Sequence, residues 1–255
     1  MSTLAAHAGS AEKKEGLLAR NHFLLRRLHS FTGIMFGMYL FVHLTVNATL
    51  VEGVRHGDNL SNSVFQGLVN YIHSLPFLVM VETAFIYLPI AYHTFYGFYI
   101  IYTGQPNVGR YGYTRNWLYI FQRVTAVVLT FFILFHVLTF KGVFGEGSAV
   151  LQALTFKPGA ATASTIIHLN YAWWIWAVIY PLGVLAAAFH TANGFYAAAI
   201  TWGLTVSAKA QKRWGGLCVL ICLFLFAGGM TALVAGVKNA NVVKNSAPTV
   251  VVEHH

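Results

Sequence analysis

The stretch AAAFHTANGFY, residues 186–196, lies in a long run without a single charge, and nearly the same phrase, IAYHTFYGFY, occurs at residues 90–99. The two share H-T-x-x-G-F-Y. Imidazole titrates near neutrality, and ionisable side chains are costly in apolar segments, where by default they mark function. A histidine in the same setting twice asks for a common cause.

Around these phrases stands a chain of 255 residues, 57% hydrophobic and only 9% charged. Soluble domains carry about a quarter charged residues. Five stretches, at about 31–51, 77–102, 119–140, 170–201 and 215–237, are long and apolar enough to span a bilayer, whose core of about 30 Å takes about 20 residues as helix. No small-residue cleavage site follows the first stretch, so it reads as a span rather than a removable signal peptide. Strong continuous apolarity with weak strand alternation argues against an outer-membrane barrel. The expected fold class is an all-α membrane protein: one five-transmembrane-helix bundle over 23–238, between a flexible tail at 1–22 and a second tail at 239–255.

Basic residues set the expected orientation. Lys13, Lys14, Arg20, Arg26, Arg27, Arg110, Arg115, Arg123, Lys209, Lys212 and Arg213 fall on one side, eleven in all, against Arg55, Lys141, Lys157, Lys238 and Lys244 on the other. The richer side is cytoplasmic, which puts the N-terminus inside and the C-terminus outside. This bias accounts for most of the net charge of +9, and no nucleic-acid role is needed. Cys218 and Cys222, one turn apart, read as packing residues; the chain has no C-x-x-C-H haem-attachment motif. Residues 142–168 read as an outer loop rich in Gly, Ala, Ser and Thr. Pro76 fits a helix start, and Pro89 and Pro181 are expected to kink their spans or free a carbonyl.

Of the twelve histidines, His43, His93, His136 and His190 fall well inside the first four spans, one on each. At about 1.5 Å per residue, His93 lies roughly 14 Å from the inner end of its span, and the repeated phrase places His190 at an equivalent level. His43 and His136, on spans running the other way, sit roughly 18 and 24 Å deep. The histidines therefore form two levels, His93 with His190 inside and His43 with His136 outside. Structural zinc wants four converging ligands, which two levels do not supply. Haem iron accepts one imidazole on each face, and two stacked bis-histidine haems b suit the pattern. Gly97 and Gly194, at i+4 from their histidines, would let a flat ring approach the backbone. Asn47 holds that place after His43 and is expected to hydrogen-bond nearby. A proton-relay transporter remains open.

The phrases FLLRRLHSFTG, HLTVN, HSLPF, LPIAYHTFYGFYI, GYTRNWLYIFQRVT, FHTANGFY and TWGLTVSAKAQKR, in this order over residues 23–213, closely resemble the dihaem, five-helix cytochrome b anchor of succinate:menaquinone oxidoreductases, related to fumarate reductase cytochrome b. The resemblance implies a bacterial inner-membrane subunit of respiratory complex II. His93 and His190 would hold an inner, higher-potential haem b, and His43 and His136 an outer one of lower potential. It implies two partners, a flavoprotein with covalent FAD that oxidises succinate and an iron–sulfur subunit that passes electrons on. Menaquinone would be reduced near the outer haem, so this chain would be the electron-transfer component of the enzyme.

Haem propionates need donors, and His29, Ser30 and Arg123 sit at inner helix ends where such donors belong. The family places propionate contacts at the start of the first helix, matching His29 and Ser30; Arg123 reads equally as a residue snorkelling to the interface. Glu82, the one acid well inside a span, reads either as a proton donor to quinone or as a structural acid bonded to a neighbouring helix. Glu52 and Asp58 are weaker proton candidates. Trp173, Trp174 and Trp176 read as an interface belt. A dihaem cytochrome b serving fumarate reductase or another quinone-linked dehydrogenase stays open as an alternative, as does a haem-free proton-coupled transporter.

Overall fold

Among the described residues, five helices are long and apolar enough to cross a membrane. The computed structural model describes residues 21–53, 60–143 and 149–241. In chain order its helices are α1 (His22–Ala48), α2 (Leu50–Gly53), α3 (Val64–His73), α4 (Leu78–Thr103), α5 (Thr114–Phe140), α6 (Ala149–Leu154), α7 (Ala161–Asn170), α8 (Ile175–Thr201) and α9 (Ala208–Lys238). The spans are α1, α4, α5, α8 and α9, and no strand occurs among the described residues.

The spans start and stop at places that hydropathy alone does not mark. Helix α1 begins at His22 rather than near residue 31, and α9 begins at Ala208 rather than 215. Arg26, Arg27, Lys209, Lys212 and Arg213 therefore lie on helix, because hydropathy registers the hydrocarbon-facing part while the hydrogen-bonded backbone runs on into the interface. Ser207 secures the start of α9 by accepting a hydrogen bond from the Ala210 amide at 3.2 Å.

Both intrahelical prolines leave a structural mark. Thr83–Tyr87 is a π-helical turn just before Pro89, and Ile175–Ile179 is another just before Pro181. Proline cannot donate to the preceding turn, and its ring crowds that carbonyl. Widening the turn by one residue relieves the crowding.

Helix α8 is the most enclosed span and packs chiefly against α9 and α5, while α1 packs against α4 and α9. The four histidine-bearing helices thus surround one interior. Small residues make the close approaches possible, as is usual where lipid supplies no hydrophobic drive between helices. A Cβ on Gly229 would sit 2.6 Å from Val184 Cγ1, closer than packed carbons approach.

The stretch expected as an outer loop is largely helical, a correction that its composition explains. Thr162, Ser164 and Thr165 of α7 are buried, because small polar residues suit tight contacts between short helices. Ser63 and Thr162 hydroxyls meet at 2.7 Å, and the Gln66 amide donates to the Pro158 carbonyl at 2.7 Å. Leu50, Phe65, Val69, Ala161 and Ala235 form an apolar cluster beneath. Helices α2, α3, α6 and α7 thereby build a cap over one end of the bundle; the opposite end carries Arg26, Arg27, Arg110, Arg115 and Arg213.

Gly229→Ala is expected to lower the thermal midpoint in detergent, since overpacking costs on the order of 1–3 kcal/mol. Gly228→Ala, whose Cβ would meet nothing nearer than Leu44 at 3.8 Å, is expected to leave it unchanged or raise it. Circular-dichroism melts of the two variants check the contrast.

Candidate functional site

The four intramembrane histidines meet in two facing pairs. His43 on α1 and His136 on α5 have ring centroids 5.8 Å apart, with planes at 84°. His93 on α4 and His190 on α8 lie 6.1 Å apart at 81°. The first pair is next to the cap, the second next to the basic end. Among the described residues no three His, Cys, Asp or Glu side chains gather into a metal cluster.

Each ring is held through Nδ1. His93 Nδ1 lies 3.0 Å from the His29 carbonyl on α1. His190 Nδ1 lies 3.2 Å from the Gln122 carbonyl on α5, with the Thr125 hydroxyl at 3.3 Å. Carbonyl oxygens only accept, so both Nδ1 atoms carry hydrogen and both Nε2 atoms carry the lone pair. His136 Nδ1 meets the Tyr180 hydroxyl at 3.1 Å, and His43 Nδ1 meets the Tyr39 hydroxyl at 3.2 Å. A hydroxyl can donate or accept, so these contacts alone do not assign the proton.

The pair spacing has chemical content. Two metal–nitrogen bonds of about 2.0 Å, with each ring centre about 1.1 Å beyond, place facing imidazole centroids about 6 Å apart. Both pairs meet that spacing. Donors for anionic groups lie near the basic-end pair, where His29 Nδ1 and Arg123 Nε are buried without a hydrogen-bond partner. Such orphaned polar atoms are costly unless a ligand engages them. The residues present fit a group held between two imidazoles at each pair, and His29 and Arg123 are where anionic substituents at the basic end would find polar partners.

Details of the candidate residues differ from expectation in instructive ways. Gly97 and Gly194 face side chains: a Cβ would lie 3.4 Å from His29 Cε1 at the first and 3.6 Å from Gln122 Nε2 at the second. The glycine pressed against one of the four intramembrane histidines is Gly33, where a Cβ would come within 2.6 Å of His93 Cε1. Its signal in the sequence is HSFTG, which repeats the H-x-x-x-G spacing on a third span. His29 stacks on His93, centroids 4.0 Å apart and planes within 12°. Ser30 accepts a hydrogen bond from Trp202 Nε1 at 3.0 Å, and Arg123 folds back onto Tyr119 of its own helix, donating to its carbonyl at 3.0 Å.

Asn47 donates to the His43 carbonyl at 2.7 Å. Glu82 is paired with Lys141 at 3.2 Å, a cation contributed by the far end of α5. Trp173, Trp174 and Trp176 are exposed, as an interface belt would be. Cys218 and Cys222 are free thiols. The Glu52 side chain and Asp58 lie outside the described residues.

Gln122, Thr125, Tyr39 and Tyr180 also escaped the sequence reading. Gln122 clamps α5 to α8: its side chain donates to the His190 carbonyl at 3.1 Å and accepts from Asn193 at 2.7 Å. Nothing local in the sequence separates this glutamine from a surface one, because its partners are about seventy residues away.

A family model described as "Succinate dehydrogenase/Fumarate reductase transmembrane subunit" matches residues 103–229. The chain is 33% identical over 214 residues to the "Succinate dehydrogenase cytochrome b558 subunit" of Bacillus subtilis (strain 168), covering 84% of this chain and 96% of that relative.

Gln122→Leu removes both side-chain hydrogen bonds of the clamp and leaves the His190 carbonyl and the Asn193 amide short of a partner. It is expected to destabilise the α5–α8 contact by about 1–3 kcal/mol, read as a lowered thermal midpoint. Thr103→Ala, which loses only an exposed bond to the Tyr99 carbonyl, is expected to leave the midpoint within error.

Proposed function

Because this chain belongs to the succinate dehydrogenase/fumarate reductase transmembrane subunit family and is a multi-pass protein of the bacterial cytoplasmic membrane, we propose that it carries two haems b and passes electrons between them to quinone. His93 and His190 hold the inner haem, His43 and His136 the outer. The observation that carries the reading is the pair geometry: two facing imidazole couples at iron-ligand spacing, on two levels.

When bound, haem supplies one-electron chemistry; this chain's residues supply the rest. His29 and Arg123 offer donors to propionates of the inner haem, and Ser30, at the same helix end, borders them. Gly33 lets His93 lie against α1, while Gly97 and Gly194 keep the walls around the inner pair thin. Hydrogen bonds to the His29 and Gln122 carbonyls fix both inner rings with Nε2 as the coordinating nitrogen.

The basic end is cytoplasmic, with the N-terminus inside and the C-terminus outside. Exposed Phe23, Leu24 and Phe31 accompany Arg26 and Arg27 there, a mixed surface suited to docking an iron–sulfur subunit. That subunit passes on electrons taken from succinate by a flavoprotein carrying FAD. Menaquinone accepts the electrons near the outer haem. Glu82, held by Lys141 near the capped end, is placed to move protons that quinone reduction consumes, and Asn47 fixes the backbone at His43.

Two outcomes are expected. Pyridine-haemochrome assay of the purified chain should give two haems b, with His93→Ala and His43→Ala each perturbing a different component in an optical redox titration. One haem or none would remove the four-ligand reading, and none would favour the haem-free transporter. Glu82→Gln is expected to slow quinone reduction by the assembled complex on the order of a hundredfold at unchanged haem content. Undiminished turnover would leave Glu82 and Lys141 as a structural ion pair.

A further inference from the structure

Beyond the Nδ1 edge of His136, a second histidine is buried in the cap. His168 on α7 is fully enclosed and Tyr180 is buried between the two rings. His168 Nδ1 lies 2.9 Å from the Leu154 carbonyl, the Tyr180 hydroxyl is 2.9 Å from His168 Nε2, and His136 Nδ1 is 3.1 Å from the same hydroxyl.

The far end of this chain of contacts fixes every hydrogen in it. Because the Leu154 carbonyl can only accept, His168 Nδ1 must donate. Burial pushes the His168 imidazolium down to about 4, so near neutral pH the ring is uncharged and Nε2 bears a lone pair. The Tyr180 hydroxyl then donates to that lone pair, which turns its oxygen lone pairs to His136. His136 Nδ1 must therefore carry hydrogen, and its Nε2 is left as the ligand nitrogen. The ambiguity of a tyrosine hydroxyl, which could donate or accept, is removed from behind by His168.

We infer that Tyr180 and His168 are positioning residues for the outer haem, a relay that sets the tautomer of His136 and raises the donor strength of its Nε2 by anchoring it, through two side chains, to the Leu154 carbonyl. The inference rests on the dihaem reading proposed above. It assigns a role to a residue in what the sequence presents as an outer loop, and it sets His136 apart from His43, whose Tyr39 partner has no such backing among the described hydrogen bonds.

A strong acceptor on Nδ1–H gives the ring imidazolate character and favours ferric over ferrous iron, so loss of the relay raises the midpoint potential of the haem that His136 ligates. Optical potentiometry of the haem-loaded chain, comparing wild type with Tyr180→Phe, His168→Leu and His168→Gln, reads this directly. Tyr180→Phe and His168→Leu are expected to shift the reduced-to-oxidised ratio of one haem about tenfold, a rise of about 59 mV for one electron. His168→Gln, which restores an acceptor near Nε2, is expected to return it toward wild type. The component that moves is the one lost in His136→Ala, while the other potential and the two-haem content stay put, showing an intact bundle. Two bound haems with both potentials unmoved in Tyr180→Phe and His168→Leu would overturn the relay while leaving the dihaem reading standing. Equal shifts in both haems would also overturn it, by marking a general disturbance. A wild-type chain without haem would overturn the dihaem reading and the relay together.

Discussion

An imidazole N–H inside an apolar bundle must find an acceptor, and this requirement organises the molecule. Lipid offers no such acceptor, and an unpaired polar group there costs several kcal/mol. Each of the four intramembrane histidines turns Nδ1 to a polar partner, three of them on a different helix. His93 reaches from α4 to a carbonyl of α1, His190 from α8 to a carbonyl of α5, and His136 from α5 to a hydroxyl of α8. These bonds are also polar links between spans, beside those of Gln122 and Glu82, so the contacts that orient the rings help to hold the helices in register as well. Where association has no hydrophobic drive between helices, one set of contacts specifies both the bundle and its interior site.

Close packing completes what the hydrogen bonds begin. His93 can reach the His29 carbonyl only because α1 presents Gly33 beneath the ring, where one added carbon would collide with it. The same close approach brings His29 into a 4.0 Å stack on His93. A glycine in mid-helix is unfavourable for the backbone by about 1 kcal/mol relative to alanine. It is tolerated here because the neighbouring helix uses the space. Of the three glycines in H-x-x-x-G spacing, only Gly33 is required by a ring lying against the backbone; a Cβ at Gly97 would meet the edge of His29 at ordinary contact distance and one at Gly194 the Gln122 side chain.

Much of this was legible in the sequence, and the limits have physical causes. The five spans follow from continuous apolarity, and the pairing of histidines follows from chain direction and depth, both being one-dimensional properties. Helix ends at His22 and Ala208 were not legible, since hydropathy falls off before the backbone stops coiling. Helix α7 was hidden because alanine, serine and threonine signal a loop by composition and tight helix packing by context. Lys141 beside Glu82 and Gln122 against His190 depend on which helices become neighbours. Tyr180 and His168 were invisible for the same reason: twelve residues separate them, but a break between α7 and α8 folds one back onto the other.

The two histidine levels differ in what stands behind them, and the difference is built into the backbone. At the basic end both Nδ1 atoms bond directly to main-chain carbonyls, which move only if a helix moves. At the capped end both partners are tyrosine hydroxyls, which rotate and take either direction of hydrogen bond. Fixed acceptors hold the basic-end rings in one constant geometry. An adjustable partner has value only if something selects its direction, and for Tyr180 that selection comes from His168, itself tied to the Leu154 carbonyl. The cap therefore does more than close the bundle, because it carries main-chain rigidity, through two side chains, to the level where main-chain carbonyls do not reach His136 directly.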